Sequence, residues 1–236
     1  MARDFGDDKS NEWLDSGDNV FSAMNISQAS HMAWVNQKAD IASGTRFYVA
    51  GIDQLGGSMM RSLLGVAPAS GTGWRLEARK HVTSVNSRRQ SSTLSSGVWY
   101  AAVGYTSRQN VATLPDVYVN GTLDNATSNS GSGTLYTGDD TLRLGANATD
   151  TSQADAEMAF IGVASGSLGA AGANRHRWWG MAPGGPSTML VCLPLWTDDL
   201  ANKGTAGTAT FTATGTTMTS IPKVERCWAS TMGCGR

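Results

Sequence analysis

Asp155 and Glu157 form the pair of carboxyls in this chain best spaced for acid–base work. On an extended segment, residues i and i+2 share a face about 6.5 Å apart. That lies inside the roughly 5 to 9.5 Å that glycoside hydrolysis requires of its two carboxyls. No aromatic platform stands beside the pair, and the remaining glutamates, Glu12, Glu77 and Glu225, are widely scattered. The pair therefore reads as the exposed start of a strand. Nucleophilic catalysis needs a Ser or Cys held by a His that a carboxylate orients. His31 lies in the polar lead-in to an apolar run, His81 follows Lys80 where another run ends, and His176 sits in a basic, aromatic stretch. Ser165 between Gly162 and Gly166 does not make a Gly-x-Ser-x-Gly elbow. Phosphate-loop and dinucleotide fingerprints are also missing. The sequence predicts a protein that is not an enzyme, its histidines serving on the surface or in packing.

Metal and thiol chemistry are thin. No zinc-type Cys/His spacing occurs. Calcium is the one ion to weigh, and Asp7-Asp8, Asp139-Asp140 and Asp198-Asp199 are Asp pairs in turns. Asp is equally an ordinary turn residue, because its carboxylate bonds nearby backbone. Cys192, Cys227 and Cys234 are an odd number. Cys227 and Cys234 could pair across a short loop; three reduced thiols is the alternative reading and the preferred one. Eight tryptophans leave more to place. Trp13, Trp34, Trp74 and Trp99 fall in candidate strands and read as core. Trp178, Trp179 and Trp228 fall outside the strand pattern. With Arg175 and His176 they form the candidate contact surface, for a glycan or a partner protein, since Trp buries much area at low entropic cost. Packing of the tail against its own domain is the plainer alternative.

The elements that must position these residues are strands. The chain has 28 Gly and 6 Pro, the Gly clustered with Ser, Thr and Asn between short apolar runs. Strands are predicted at Met32 to Val35, Arg46 to Ile52, Trp74 to Lys80, Val98 to Tyr105, Thr141 to Leu144, Met158 to Val163, Met189 to Leu195 and Thr208 to Thr214. In Trp74 to Lys80, Trp74, Leu76 and Ala78 share one face and Arg75, Glu77 and Arg79 the other, which predicts a half-wet strand. Asn120-Gly121 between Val117 to Val119 and Thr122 to Asn125 predicts a type I′ hairpin. Leu123 to Thr134 reads as an exposed loop, and Leu168 to Trp179 is the one helical candidate. An all-β antiparallel sandwich over residues 1–222 with a C-terminal extension at 223–236 is the simplest account.

Bulk composition narrows the partners. Apolar residues make up 40% of 236 and charged residues 16%, against a usual charged share of about 25%. A surface of Ser, Thr, Asn and Gly suits an exterior or an assembly. The net charge of -1 offers no footprint for nucleic acid, and the pairs Arg79-Lys80 and Arg88-Arg89 read as solvated faces. No apolar run of about 18 residues predicts a membrane span. The opening Met1-Ala2-Arg3-Asp4-Phe5 lacks the apolar core of a signal peptide, so folding in a cytoplasm is expected.

Several motifs, taken in order, carry a resemblance. They are Ala2-Arg3-Asp4-Phe5-Gly6 with Trp13-Leu14, Ala29 to Val35, Val98-Trp99-Tyr100 with Val117-Tyr118-Val119-Asn120-Gly121, and Thr141-Leu142-Arg143-Leu144-Gly145. The chain resembles the concanavalin A-like lectin/glucanase superfamily in its laminin G-like form. Leu190-Val191-Cys192-Leu193-Pro194-Leu195, Asp199-Leu200 and the Thr-rich run after Gly204 to Gly207 are similar to phage-encoded relatives. The likeness spans about Ala2 to Val224. It departs at Ser167 to Trp179, where the family's helix carries other residues, and nothing matches Glu225 to Arg236. The superfamily's glucanases carry a Glu-x-Asp-x-x-Glu strand, which this chain lacks. The resemblance implies a jelly-roll sandwich whose first two strands make a hairpin, and a phage virion structural protein, a capsid decoration, head-surface or tail component assembled in the host cytoplasm. Its implied partners are other virion proteins and further copies of itself. A lectin-like module for host-surface glycans is the second reading.

Overall fold

The structure is a computed structural model that describes residues 2–5, 13–15, 28–41, 47–54, 60–82, 84–107, 110–134, 140–145, 155–179, 189–195, 199–201, 203–204, 211–214 and 216–219. Sixteen strands and one helix occupy these residues, and all strand pairing is antiparallel. The first sheet runs β10 (Thr122–Leu123), β9 (Asp116–Val119), β8 (Trp99–Ser107), β3 (Gln28–Gln37), β13 (Ala156–Ser165), β1 (Ala2–Phe5) and β16 (Thr217–Thr219). β14 (Met189–Pro194) also pairs with β13. One edge of β13 is therefore shared, by β1 at Ala156 to Met158 and by β14 from Phe160 onward. The second sheet runs β11 (Thr127–Asn129), β7 (Ser87–Gln90), β6 (Trp74–Lys80), β5 (Met60–Pro68), β4 (Phe47–Gln54), β12 (Asp140–Leu144), β2 (Trp13–Asp15) and β15 (Thr212–Thr214).

The core lies between the sheets, as alternation requires of two half-apolar layers. Ala33 and Val35 of β3, Ala102 of β8 and Met158, Ile161 and Val163 of β13 meet Val49, Ala50, Leu64, Val66, Trp74, Leu76 and Ala78 of the second sheet. A second, smaller cluster lies on the far face of the first sheet. There the helix α1 (Gly169–Trp179) covers Met32, Val103, Tyr118, Phe160 and Met189 with Ala173. The predicted helix is present. Ser30 Oγ donates to Gly166 O at 2.8 Å and accepts from Leu168 N at 3.3 Å, fixing the turn into it.

The hairpin at Asn120-Gly121 is also present, with φ of 51° and 83°. Asn120 Oδ1 accepts from Ala101 N at 3.0 Å and its backbone N donates to Ala101 O at 2.8 Å. Other expectations are corrected. β1 and β2 do not form a hairpin: each joins a different sheet, and Ala2 and Phe5 are fully buried within the chain's own fold. β5 was not predicted, because Gly65 and the closing Pro68 break its apolar run. The stretch predicted as an exposed loop contains β11, which pairs with β7 and stays exposed. The boundary at 222/223 and the tail beyond it lie outside the described residues.

Candidate functional site

The outer face of the second sheet carries a constellation of charged and amide side chains. On β6 the apolar positions Trp74, Leu76 and Ala78 turn inward, which aims Arg75, Glu77 and Arg79 outward. This face was expected to be wet, yet Glu77 and Arg79 are buried. β7 explains the difference. Its register sets Gln90 opposite Glu77 and Arg88 opposite Arg79, and β11 adds Asn129 opposite Arg88. Glu77 accepts from Arg79 Nη2 and, at 2.6 Å, from Gln90 Nε2, while Arg88 Nη1 lies 3.8 Å away. Arg89 points the other way and pairs with Asp116 of β9 at 2.8 Å, closing that edge of the sandwich. Hence Arg79, Arg88 and Arg89, read from sequence as a solvated basic face, each have an ion-pair partner.

Arg79 and Arg88 open onto a cavity of about 320 Å³ lined also by Ser84, Val85, Asn86 and Asn129. Its floor is sheet and its rim is the turn before β7. That turn is fastened by a bridge between Val85 and Ser132, by Val82 N donating to Asn86 Oδ1 at 3.1 Å, and by Asn129 Nδ2 donating to Asn86 O at 3.3 Å. The Arg79 side chain is 9% exposed and its Nε has no hydrogen-bond partner. Sequence reasoning missed this site because it depends on which strand lies beside β6.

On the opposite side of the molecule, the outer face of the first sheet is half covered by α1. His176 is fully buried there. Its Nε2 donates to Ala33 O at 3.1 Å, and its ring packs against Trp34 and Phe160 with centroids 6.2 and 5.6 Å away. Burial pushes its pKa down to about 4, so the ring is neutral. His176 was grouped with the contact surface and belongs instead to the interior. Arg175 beside it is exposed. Trp178 and Trp179 end the helix, but their side chains lie outside the described residues, as does all of Trp228. Of the four strand tryptophans, Trp74 is core, while Trp34 packs under the helix and Trp99 is half-buried; the Trp13 side chain is not among those described.

Beyond the helix, Asp4, Glu157, Asn36 and Trp99 share one register row across the first sheet. Glu157 accepts from Asn36 Nδ2 at 3.0 Å. Lys38 reaches Asp4 at 2.6 Å and Asp155 at 3.4 Å. Burial would lower the Lys38 pKa, but these two carboxylates raise it above its usual value. Asp155 and Glu157 are thus tied to separate partners. His31 is buried inside β3, sharing a 2.9 Å hydrogen bond through Nε2 with Ser62 Oγ, and its pKa falls to about 4. His81 is buried too, and burial with the nearby Arg79 charge lowers it to about 3. Among the described residues no three His, Cys, Asp or Glu are grouped to hold a metal. Of the turn aspartates weighed for calcium, Asp199 pairs with Lys203 at 2.6 Å; the side chains of the others lie outside the described residues. Among the described residues Cys192 forms no disulfide, and Cys227 and Cys234 lie outside the described residues.

Fold and faces together define an antiparallel jelly-roll sandwich with one helix laid on one sheet and a polar cavity on the other. Two solved structures support this fold. A heptameric pentraxin from Limulus polyphemus aligns at a TM-score of 0.56 and 13% identity over 75% of this chain and 81% of that one. A candidate carbohydrate-binding protein from Bacteroides ovatus aligns at 0.59 and 14% identity over 94% of this chain, which spans 60% of that longer protein. Tailspike protein 2 of Escherichia coli O157:H7 bacteriophage CAB120 aligns at 0.47 and 14% identity over 71% of this chain and 24% of that one, an overlap that bears on neither fold nor function. No family model and no curated protein sequence matches the chain.

Proposed function

We propose that this chain is a non-catalytic, lectin-like structural module of a phage virion, a rigid sandwich that offers its outer faces to partners. The observation that carries the non-catalytic part is the engagement of the groups that could do chemistry. Asp155 and Glu157 are held by Lys38 and Asn36, and His31, His81 and His176 are buried and neutral. A general base must reach its proton within hydrogen-bond distance, and none of these side chains lines the cavity. The virion address is supported by the phage-type order of Leu190 to Leu195, Asp199-Leu200, Gly204 to Gly207 and Thr208 to Gly215. Docking through β1 is not part of this reading, since both its edges are already paired. Residues 223–236 and the outer sheet faces are the contact surfaces proposed, with further copies of the chain among the partners. The test is mass spectrometry of purified particles with and without residues beyond Val224. Absence of the intact chain from particles would refute the virion address.

Glycan binding is the second reading, and the cavity at Arg79 and Arg88 favours it. Carbohydrate sites are concave and hold a few well-placed polar groups. The Bacteroides ovatus protein is described as carbohydrate-binding, which accords with this reading. A glycan array of the whole chain tests it: reproducible binding to a defined saccharide supports it, and silence across the array sinks it.

A further inference from the structure

We infer that the cavity on the second sheet binds a sugar unit bearing a carboxylate, as found in acidic polysaccharides; the inference rests on the glycan-binding reading. Arg79 and Arg88 stand directly opposite each other on β6 and β7. Like charges placed so are destabilising on a sheet. Among the described residues, Glu77 is the carboxylate within ion-pair distance of both, and it already accepts from Arg79 and Gln90. Among the described residues, two guanidinium charges thus share one carboxylate. A guanidinium has five N–H donors in a rigid fork suited to a planar carboxylate. Arg79 spends one on Glu77, and its buried Nε has no partner. Arg88 reaches Glu77 only at 3.8 Å, a distance that leaves its donors available.

The rest of the lining fits a saccharide ring. Asn86 uses its Oδ1 on Val82 N, and Asn129 uses its Nδ2 on Asn86 O. That leaves the Asn86 amide N–H groups and the Asn129 amide oxygen to meet ring hydroxyls as donor and acceptor. Val85, 41% exposed, supplies an apolar patch on the rim. The volume of about 320 Å³ lies at the lower end of ligand sites, of order 300 to 1,000 Å³. A nucleic-acid backbone fits less well. The chain carries 18 Lys and Arg against 19 Asp and Glu, and none of the described residues lining the cavity is aromatic, to stack a base.

The experiment titrates the full chain with galacturonate oligosaccharides, with galactose oligosaccharides of the same length and linkage, and with a single-stranded oligonucleotide of matched charge. The galacturonate series is expected to bind at least tenfold tighter than the galactose series, since a hydrogen bond to a charged group is worth about that factor or more. Arg88→Ala, which keeps the Glu77–Arg79 pair, and Asn129→Ala are each expected to weaken it, Arg88→Ala by roughly tenfold and with a shallower salt dependence. Equal binding of the acidic and neutral series, or full binding by Arg88→Ala, overturns the inference while leaving the chain a glycan binder. Tighter binding of the oligonucleotide overturns it in favour of a phosphate site. Silence from every probe, with an array that is also silent, removes both this inference and the glycan reading.

Discussion

Arg79 Nη2 donates to Glu77 Oε1 two residues back along the same strand, and both side chains are almost wholly shielded from water. A charge pair out of water holds only while both members are present. Glu77 also gathers Gln90 and Arg88, so one carboxylate fastens β7 to β6. Glu77→Gln is expected to cost about 3 kcal/mol, the size of breaking a buried pair. In thermal unfolding this appears as a fall of roughly 6 to 12 °C for a chain of this length. A change below about 2 °C would show that the pair is solvated.

Acid should weaken the fold through its histidines. His31 and His176 have pKa values near 4, and His81 near 3, against an ordinary value of 6.5. Between these limits the unfolded chain binds more protons than the folded one, so stability falls as pH drops from about 6.5 toward 4. His176 alone contributes about 3 kcal/mol of this loss. Denaturant titrations at neutral and acid pH should show a smaller acid loss for His176→Gln than for the parent. An equal loss in both would place the acid sensitivity elsewhere.

The contact between the β9–β10 hairpin and α1 should depend on one glycine. A Cβ on Gly121 would lie 2.7 Å from Asn174 Cα, and the φ of 83° already disfavours other residues. Gly97 has a similar φ of 75° with nothing within 4 Å of the added carbon. Both Ala variants should lose about 1 kcal/mol or more from the backbone. Gly121→Ala should lose clearly more, and amide exchange in α1 should quicken. Matching losses would mean that the helix yields freely.

Lys80 closes one end of the sandwich. Its Nζ donates to Ser107 O, Asn110 O and Thr113 O at 2.7, 2.6 and 2.8 Å. Three donors meet three carbonyls, one at the end of β8 and two at Asn110 and Thr113 before β9. Lys80→Met keeps the buried stem and leaves those carbonyls unpaired, at about 1 to 3 kcal/mol for each lost partner. Retained stability in urea would indicate that water replaces the ammonium.

No turnover is expected from the carboxyls. Incubation with neutral and acidic polysaccharides should release no new reducing ends. Should cleavage appear and vanish with Glu157→Gln, the non-catalytic assignment fails.

The class of fold was legible in the residues themselves. Short apolar runs cut by Gly, the Asn120-Gly121 turn and the alternation in Trp74 to Lys80 are local signals, set by φ preferences and side-chain period. Pairing between distant strands is not local. Trp13-Leu14 looked like the partner of Ala2 to Phe5, yet tertiary packing sends them to different sheets. Arg88 reads as an ordinary surface cation until β7 lies against β6 and sets it opposite Arg79. His176 follows exposed Arg175 in sequence and is buried only because α1 lies on the first sheet. Side-chain chemistry and local turns are written along the chain. Burial, charge compensation and the cavity arise from neighbours far apart in sequence, whose register only the folded sheets decide.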